Sequence, residues 1–520
     1  MKSMLRYMKY AILAMALTVS LTACLDKVPQ SAMLEEEVMQ PSSNPTKAFN
    51  EAEQVLTGIY ARMMSSALWS GYLTIVPEIQ ADLVYAIDGY SNTYGDIWQW
   101  NIRPTNPEIE AVYSALYAVI TSCNFFLERI DGVVGCQTSD ERIAYLEYYK
   151  GEVYAIRALC YSELIKCFAN AYDPATAEEE LGVVLRTKYS EPESSHRASL
   201  YDSYQLVVED LKQAELLLDA ENDYYGAFYM TRAAVCALRA RVALQMQDWE
   251  TAINYSSQVI DHPKKAFDLA SASTLYSAGM SYFDYMWNYD QAFEIILQVG
   301  YTVTSYGGAL GQNFLNFNND YTYYYPDYVP ALWVLNLYQS NDLRYDAYFA
   351  SLQTGYDHGL VWPLLVKYYG NQSFIQNMIY HVCMPKIFRL AEQYLIRAEA
   401  YCRQEKPNYS LASKDLTKLR AARYQSGGGN ISLSESNFIE QIANERVREL
   451  YMEGFRLWDL KRWGKLYNNG EGFERKPQSN SLKEGSSLKV SIDNPLFTWP
   501  IPQHELESPG SEVEPNESNK

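Results

Sequence analysis

Three stretches far apart in the chain carry the same short helical core. Residues 154–164 read YAIRALCYSEL, 236–246 read CALRARVALQM and 394–404 read YLIRAEAYCRQ. Each holds an aliphatic residue, an arginine and an alanine in a row: Ile156-Arg157-Ala158, Leu238-Arg239-Ala240 and Ile396-Arg397-Ala398. After the second copy, Asp248-Trp249, Ala252, Tyr255 and Val259 recur at helical spacing, so two consecutive helices are predicted. Ala233, Ala237 and Ala240 place small side chains on the first of them, where a second helix can nest closely.

The unit resembles a tetratricopeptide helical hairpin. The first copy finds its second helix in YDSYQLVVEDLKQAELLL (201–218), the third in YSLASKDLTKLRAARY (409–424). A degenerate pair precedes them, in 44–65 and 107–130. The expected fold class is all-α dominated: a tetratricopeptide-like scaffold of helical hairpins with loop-rich insertions and a few short β-hairpins. Spacing between the units is too irregular for an open solenoid.

Residues 66–106 interrupt the first pair and residues 261–387 separate the third hairpin from the fourth. Both insertions are rich in Tyr, Trp, Asn, Gly and Pro, and long loops on a rigid scaffold are where function is usually placed. The expected organisation is a leader at 1–23, an N-terminal hairpin region at 24–260, a ligand-binding insertion at 261–387 and a C-terminal region with the last hairpin at 388–520. The larger insertion contains YTYYYPDYVP (321–330), five tyrosines in ten positions, and the smaller contains DGYSNTYGDIWQWN (88–101).

Lys2, Arg6 and Lys9 precede an apolar run from Ala11 to Leu21 and then Leu21-Thr22-Ala23-Cys24, a secretory signal in charge, length and small-residue ending. The last four residues resemble a bacterial lipobox, which makes Cys24 the expected lipidated first residue of the mature chain. Acyl chains contribute ~0.8 kcal/mol per buried CH2, so several of them anchor a protein durably. No later segment reads as a membrane span. The formal charge of −20 repels polyanions and excludes nucleic acid as a partner. The other seven cysteines lack a CxxC spacing and are expected as small apolar core residues. The histidines at 196, 262, 358, 381 and 504 never fall at helical pairing distance, so no zinc site is expected.

The stretch ERVRELYMEGFRLWDLKRWGK (445–465) reads as one helix, with Glu449, Glu453 and Arg456 on a shared face. Each carboxylate has an arginine within reach, which lowers its pKa and unsuits it as a proton donor. A partly buried ion network is therefore expected there rather than a catalytic pair. Together with YKGEVYAIRALCYSELIKCFANAYD, NDLRYDAYF, YLIRAEAYCR and the terminal WPIPQHEL, the stretch resembles the SusD/RagB family of outer-membrane nutrient-binding lipoproteins of Gram-negative bacteria. The likeness runs through essentially the whole mature chain in the family's order. One departure is Phe168-Ala169-Asn170, where the family commonly has Phe-Gly.

The resemblance implies a lipid-anchored outer-membrane protein facing the cell exterior, a SusC-like TonB-dependent transporter as partner, and a glycan ligand, with peptide as the alternative of the RagB-like branch. A surface glycoside hydrolase is the remaining alternative, but no catalytic motif is recognisable. Tyrosine suits a glycan because its ring covers a flat C–H face while its hydroxyl bonds the rim. Trp98, Trp100, Asn101, Tyr285, Trp287, Tyr289, Tyr323 and Tyr324 are the expected ligand contacts. The competing reading of these rings is structural, as core or as cross-strand pairs of a hairpin. No cofactor is expected. Asp284, Asp290, Asp320 and Asp327 could hold calcium, but no DxDxDG loop is present and metal is left open.

Overall fold

The computed structural model describes residues 37–189, 196–277, 279–317, 322–356, 360–425, 428–467, 471–478 and 487–520. Cys24, His358 and Asp320 lie outside these residues. Four helical hairpins form the scaffold, as the repeats require. Their helices are α1 (Pro45–Met63), α2 (Pro107–Gly135), α3 (Asp140–Phe168), α4 (Leu200–Leu217), α5 (Arg232–Gln245) and α6 (Trp249–Ile260). After α7 (Tyr282–Tyr289), in the larger insertion, α8 (Leu390–Arg403) and α9 (Tyr409–Ala421) complete the set. Helix starts follow local chemistry: Asn44 and Asn106 cap α1 and α2 ahead of a proline, and Ser139, Ser199, Thr231, Asp248 and Asn408 cap α3 to α6 and α9.

The repeated arginine has a structural task. Arg157 on α3 donates to both oxygens of Asp210 on α4, at 2.8 and 2.7 Å. Arg397 on α8 grips Asp415 on α9 in the same way, at 2.8 Å for each bond. A forked guanidinium on a carboxylate fixes the angle between two helices as well as their separation. The middle hairpin departs from this: Arg239 donates to the Val208 carbonyl at 3.0 Å instead. Although the larger insertion separates them in sequence, the third and fourth hairpins touch directly, because Ile396 and Ala400 pack among Ala240, Ala243, Leu244 and Ala252.

Helix α2 meets the length and hydropathy of a membrane span, contrary to the sequence expectation, but just over half of its most apolar stretch is buried in the protein. Val112, Leu116, Val119, Ile120 and Phe126 belong to the scaffold core. The C-terminal segment returns to that core, where the buried Trp499 ring meets Trp458 at 5.2 Å and its Nε1 donates to Gln80.

The two insertions share a second core. Strand β1 (Val84–Ala86) of the smaller pairs antiparallel with a strand of the larger, Tyr85 opposite Val329. In chain order the other strands are β2 (Ile295–Gln298), β3 (Tyr328–Pro330, the partner of β1), β4 (Phe349–Gln353), β5 (Val361–Leu365) and β6 (Lys386–Arg389). β4 pairs with β5, and β6 with β2 through register shifts. Around them Trp98, Phe283, Trp287, Phe314, Tyr328 and Tyr348 are buried together. Residues 322–327 form no strand, so the tyrosine run is not the hairpin arm its alternation allowed.

The expected single helix over 445–465 is two. α10 (Phe438–Leu450) ends, and α11 (Arg456–Tyr467) begins after a turn in which Met452 and Gly454 adopt φ of +61° and +86°. Left-handed backbone cannot continue a helix, and glycine takes it without steric cost. The break sends Arg456 to Asp82, at 2.8 and 2.9 Å, rather than into a shared face with Glu449. Glu449 is enclosed: Arg344, Arg389 and Arg423 all donate to it, at 3.0, 3.0 and 2.8 Å. Arg344 also grips Asp342 with bonds of 2.9 and 2.7 Å, and Arg423 reaches Glu294 at 2.8 Å. The network is fully rather than partly buried, and it bolts the larger insertion to the C-terminal helices.

Candidate ligand-binding site

The loops of the two insertions meet at Asp327. Its carboxylate accepts from the Ser91 backbone N–H at 2.8 Å and from the Asn313 amide at 3.1 Å. Next to it the Tyr328 hydroxyl, buried with its ring, donates to the Thr93 carbonyl at 2.6 Å. These bonds hold loop 88–94 of the smaller insertion against loop 322–328 of the larger.

Half-buried rings surround this junction. Tyr325 meets Tyr356 at 5.2 Å between centroids, and Gly355 allows this by its lack of a side chain, since a Cβ there would collide with the Tyr325 ring. Tyr356 lies in turn 3.7 Å from where a Cβ on Gly89 would stand. On the other side Tyr324 packs on Phe317 at 4.8 Å, and Phe317 meets Tyr380 at 5.9 Å and stacks on His381 at 5.3 Å. The Tyr324 phenol is hydrogen-bonded to Tyr369, and burial together with that bond raises its pKa. Burial lowers the His381 imidazole to about 4, so the ring beneath Phe317 is neutral at physiological pH. The result is a rim of partly exposed tyrosines, Tyr324, Tyr325, Tyr356, Tyr369 and Tyr380, with Phe317 and His381 packed among them.

A second aromatic group stands on α7. Tyr276, Tyr285 and Tyr289 form a stack with centroid separations of 3.9 and 4.8 Å. Tyr285 has a neighbour on each face and its phenol is pushed up to about 12, first by its bond to Tyr276. Only the outer rings can therefore offer a face to a ligand. Asp290, at the end of α7, accepts from Asn371 at 2.6 Å and ties the helix to the segment carrying Tyr380 and His381.

The residues singled out in the sequence divide accordingly. Trp98 has no exposed surface and lies under the Arg475 guanidinium, 4.9 Å from its ring. Trp100 is 7% exposed, donates to the Gln80 carbonyl at 2.7 Å and packs on Phe473 and Phe497. Trp287 is 4% exposed and faces the ammonium of Lys367 at 4.2 Å. All three indoles are spent on the interior. Asn101 is exposed at the edge of the smaller insertion. Tyr289, Tyr323 and Tyr324 are partly exposed. Tyr90, Phe317, Tyr356, Tyr369 and Tyr380 also stand at the junction without having been singled out; Tyr90 is inside the quoted DGYSNTYG run, whereas the others come there only through chain folding.

The carboxylates near the loops are occupied. Asp284 caps α7 through Ser281, Asp290 is paired with Lys386, and Asp327 holds the loop junction. Among the described residues no group of three or more metal-ligating side chains converges. In the buried network the surrounding arginines hold Glu449 far below the ordinary carboxylate range and Glu445 at about 2, despite burial that opposes both shifts. Such groups neither give nor take protons near neutral pH. Cys123, Cys136, Cys160, Cys167, Cys236, Cys383 and Cys402 are free thiols, all but Cys136 buried.

Two family models match the sequence: the SusD family over residues 348–513, and the family described as starch-binding associating with outer membrane over residues 25–244. The chain belongs to the SusD/RagB family. A SusD-like protein of Formosa agariphila is 22% identical over 487 residues, 85% of this chain and 86% of that one. A SusD superfamily structure from Bacteroides thetaiotaomicron superposes with a TM-score of 0.75 at 21% identity, covering 90% of this chain and 99% of the other. Surface glycan-binding protein A of Bacteroides fluxus gives 0.66 at 18% identity, covering 92% and 100%. The SusD fold, a tetratricopeptide-like scaffold carrying elaborated insertions, is thus this protein's fold.

Proposed function

We propose that this SusD-family protein is a non-catalytic, cell-surface binder of a neutral glycan, held at the outer membrane by a lipid on Cys24, which passes its ligand to a SusC-like TonB-dependent transporter. The observation that carries the reading is the tyrosine rim, in which Tyr324 and Tyr325 from one loop meet Tyr356 and Tyr380 from two others and are held partly exposed by ring contacts, Phe317 among them. A sugar needs apolar faces beside hydroxyl partners, and partly exposed phenols supply both with little side-chain entropy to lose. The family description and the glycan-binding name of the Bacteroides fluxus neighbour support the same ligand class.

The absence of chemistry in the proposal rests on the locked carboxylates: a hydrolase needs one carboxyl that keeps a proton near neutral pH and a second that does not, on opposite sides of a glycosidic bond. Glu445, Glu449 and Glu453 are each held in the charged form by arginine or lysine; of the carboxyls that burial raises to about 8, Glu78 has no exposed surface and Glu152 lines a separate cleft. A glycan array followed by titration calorimetry tests the reading. Saturable binding of a neutral oligosaccharide, weakened by Tyr380→Ala, is expected; no binding across a broad array would overturn it.

A further inference from the structure

Away from the tyrosine rim, α1, α3 and the segment 222–231 border a cleft of about 750 Å³ that opens to solvent. Tyr145, Tyr148, Tyr149, Tyr224 and Tyr229 supply its aromatic walls. Three carboxylates line it as well, Glu53, Glu141 and Glu152, and no Lys, Arg or His is among the described residues that do. Glu152 is the decisive group. It is 3% exposed, its Oε2 accepts from the Tyr60 hydroxyl, and its Oε1 takes no hydrogen bond from the protein. Tyr60 is itself fixed from behind, since its oxygen accepts from the Met230 backbone N–H at 2.7 Å. Among the described residues no cation stands beside Glu152, and burial pushes its carboxyl up to about 8, so it holds a proton near neutral pH until a bound cation draws it into the charged form.

A buried carboxyl with no countercharge, bonded on one oxygen only and bordering a roomy opening, is a group whose ionisation the fold has not provided for internally. Several other buried carboxylates, though not Glu78, are met by arginines: Asp210 by Arg157, Asp415 by Arg397, Glu392 by Arg241. Here the place of the cation is open space bounded by tyrosine faces. Ring faces are negative in their quadrupole and attract a cation within ~6 Å, most strongly when water is displaced. Aromatic walls with a carboxylate at the floor match an organic ammonium group, whose charge meets the carboxylate and whose carbon surface meets the rings. A neutral sugar would use the walls but leave Glu152 without a countercharge.

We propose that this cavity is a second ligand site, separate from the glycan rim, that takes an alkylammonium group, with Glu152 as its counterion and Tyr148, Tyr149 and Tyr229 as its cage. Glu53 and Glu141, on the helices to either side, add negative potential.

Calorimetry with the purified full-length protein tests this, using tetramethylammonium, N-acetyl-lysine methylamide and, as the uncharged shape control, neopentyl alcohol. Both cations should bind at least about tenfold more tightly than the alcohol, the ratio that ~1.4 kcal/mol of charge recognition gives. Binding of only one of the two tells a quaternary ammonium from a primary, peptide-borne one, and either result supports an ammonium site. Glu152→Gln keeps the shape and should erase the preference for cations while leaving the alcohol and the glycan titration unchanged. Tyr229→Phe, which keeps the ring, should retain cation binding, and Tyr229→Ala should weaken it. Equal affinity for cation and alcohol in the parent protein, or no binding of either cation at about 10 mM, overturns the proposal without any variant having to fold.

Discussion

Arg344 Nη1 lies 3.0 Å from Glu449 Oε2, and neither side chain has any exposed surface. The pair spans 105 residues, from the larger insertion to the end of α10, and Arg389 and Arg423 share the same carboxylate. Removing one partner of a buried ion pair leaves the other uncompensated, at a cost of ~3–5 kcal/mol. Glu449→Ala should therefore lower stability by about that amount or more, read as the urea midpoint, and loosen the insertion first. A midpoint within error of the parent would show that the network relaxes around the loss.

The response to acid follows from the same cluster. Glu445 is held at about 2 and Glu449 lower still, against 4.5 for a free glutamate. Their folded pKa values are depressed, so the stabilisation is complete above about pH 4.5 and is lost as pH falls towards 2. Glu78 behaves oppositely, because burial raises it to about 8. It holds a proton in the folded chain that the unfolded chain has released, so stability declines as pH rises from 4.5 through 8. Glu78→Gln should match the parent near pH 5 and exceed it near pH 8 in urea unfolding. Parallel curves for the two proteins would contradict the assignment.

Aromatic substitutions should separate into two kinds. Tyr356→Ala and Tyr380→Ala, at the partly exposed rim, should weaken glycan binding by ~1–2 kcal/mol each, roughly tenfold, with little change in melting. Trp98→Ala and Trp287→Ala, inside the second core, should cost ~3–5 kcal/mol of stability. Calorimetric titration and thermal unfolding on the four variants read both quantities. Rim variants with full affinity would move the glycan site elsewhere.

Prolonged incubation with the bound glycan should leave its chain length unchanged, since the buried glutamates of α10 are held ionised by arginine. Chromatographic sizing checks this. Steady release of shorter products, abolished by substituting a single carboxylate, would establish a hydrolase instead.

The anchor prediction rests on Leu21-Thr22-Ala23-Cys24. Mass spectrometry of the mature N-terminus should find acyl groups on Cys24, and Cys24→Ser should release the protein from the membrane fraction. An unmodified cysteine after cleavage elsewhere would contradict it.

The sequence alone determined the scaffold, because its information is local and periodic. An aliphatic-Arg-Ala core on one helix and small residues at helical spacing favour packing of that helix on the next; the three hairpins with that core stand where it placed them, and the degenerate pair precedes them. That Glu449 is ionised was legible, but not its partners: Arg344, Arg389 and Arg423 come from outside α10, while Arg456 goes to Asp82. The end of that helix was harder to read: Gly454 is in the sequence, but the charge pattern across it looked continuous.

Which tyrosines face outwards was decided only by the tertiary structure. Trp98 and Tyr90 stand eight residues apart in one polar, aromatic loop, yet one ring is wholly buried under Arg475 and the other is partly exposed. A ring has the same composition and local spacing in either place, and its exposure is set by which distant strand crosses behind it. Here the strand Glu471–Arg475 brings Arg475 over Trp98, whereas Tyr90 meets the edge of Tyr328 on β3, which is brought against β1 from more than 200 residues away. Likewise Glu152 lies in the same strongly helical text as Arg157, and only the folded chain shows that Asp210 meets the arginine while no cation meets the glutamate. Periodicity names the face of a helix, but long-range packing decides what that face meets.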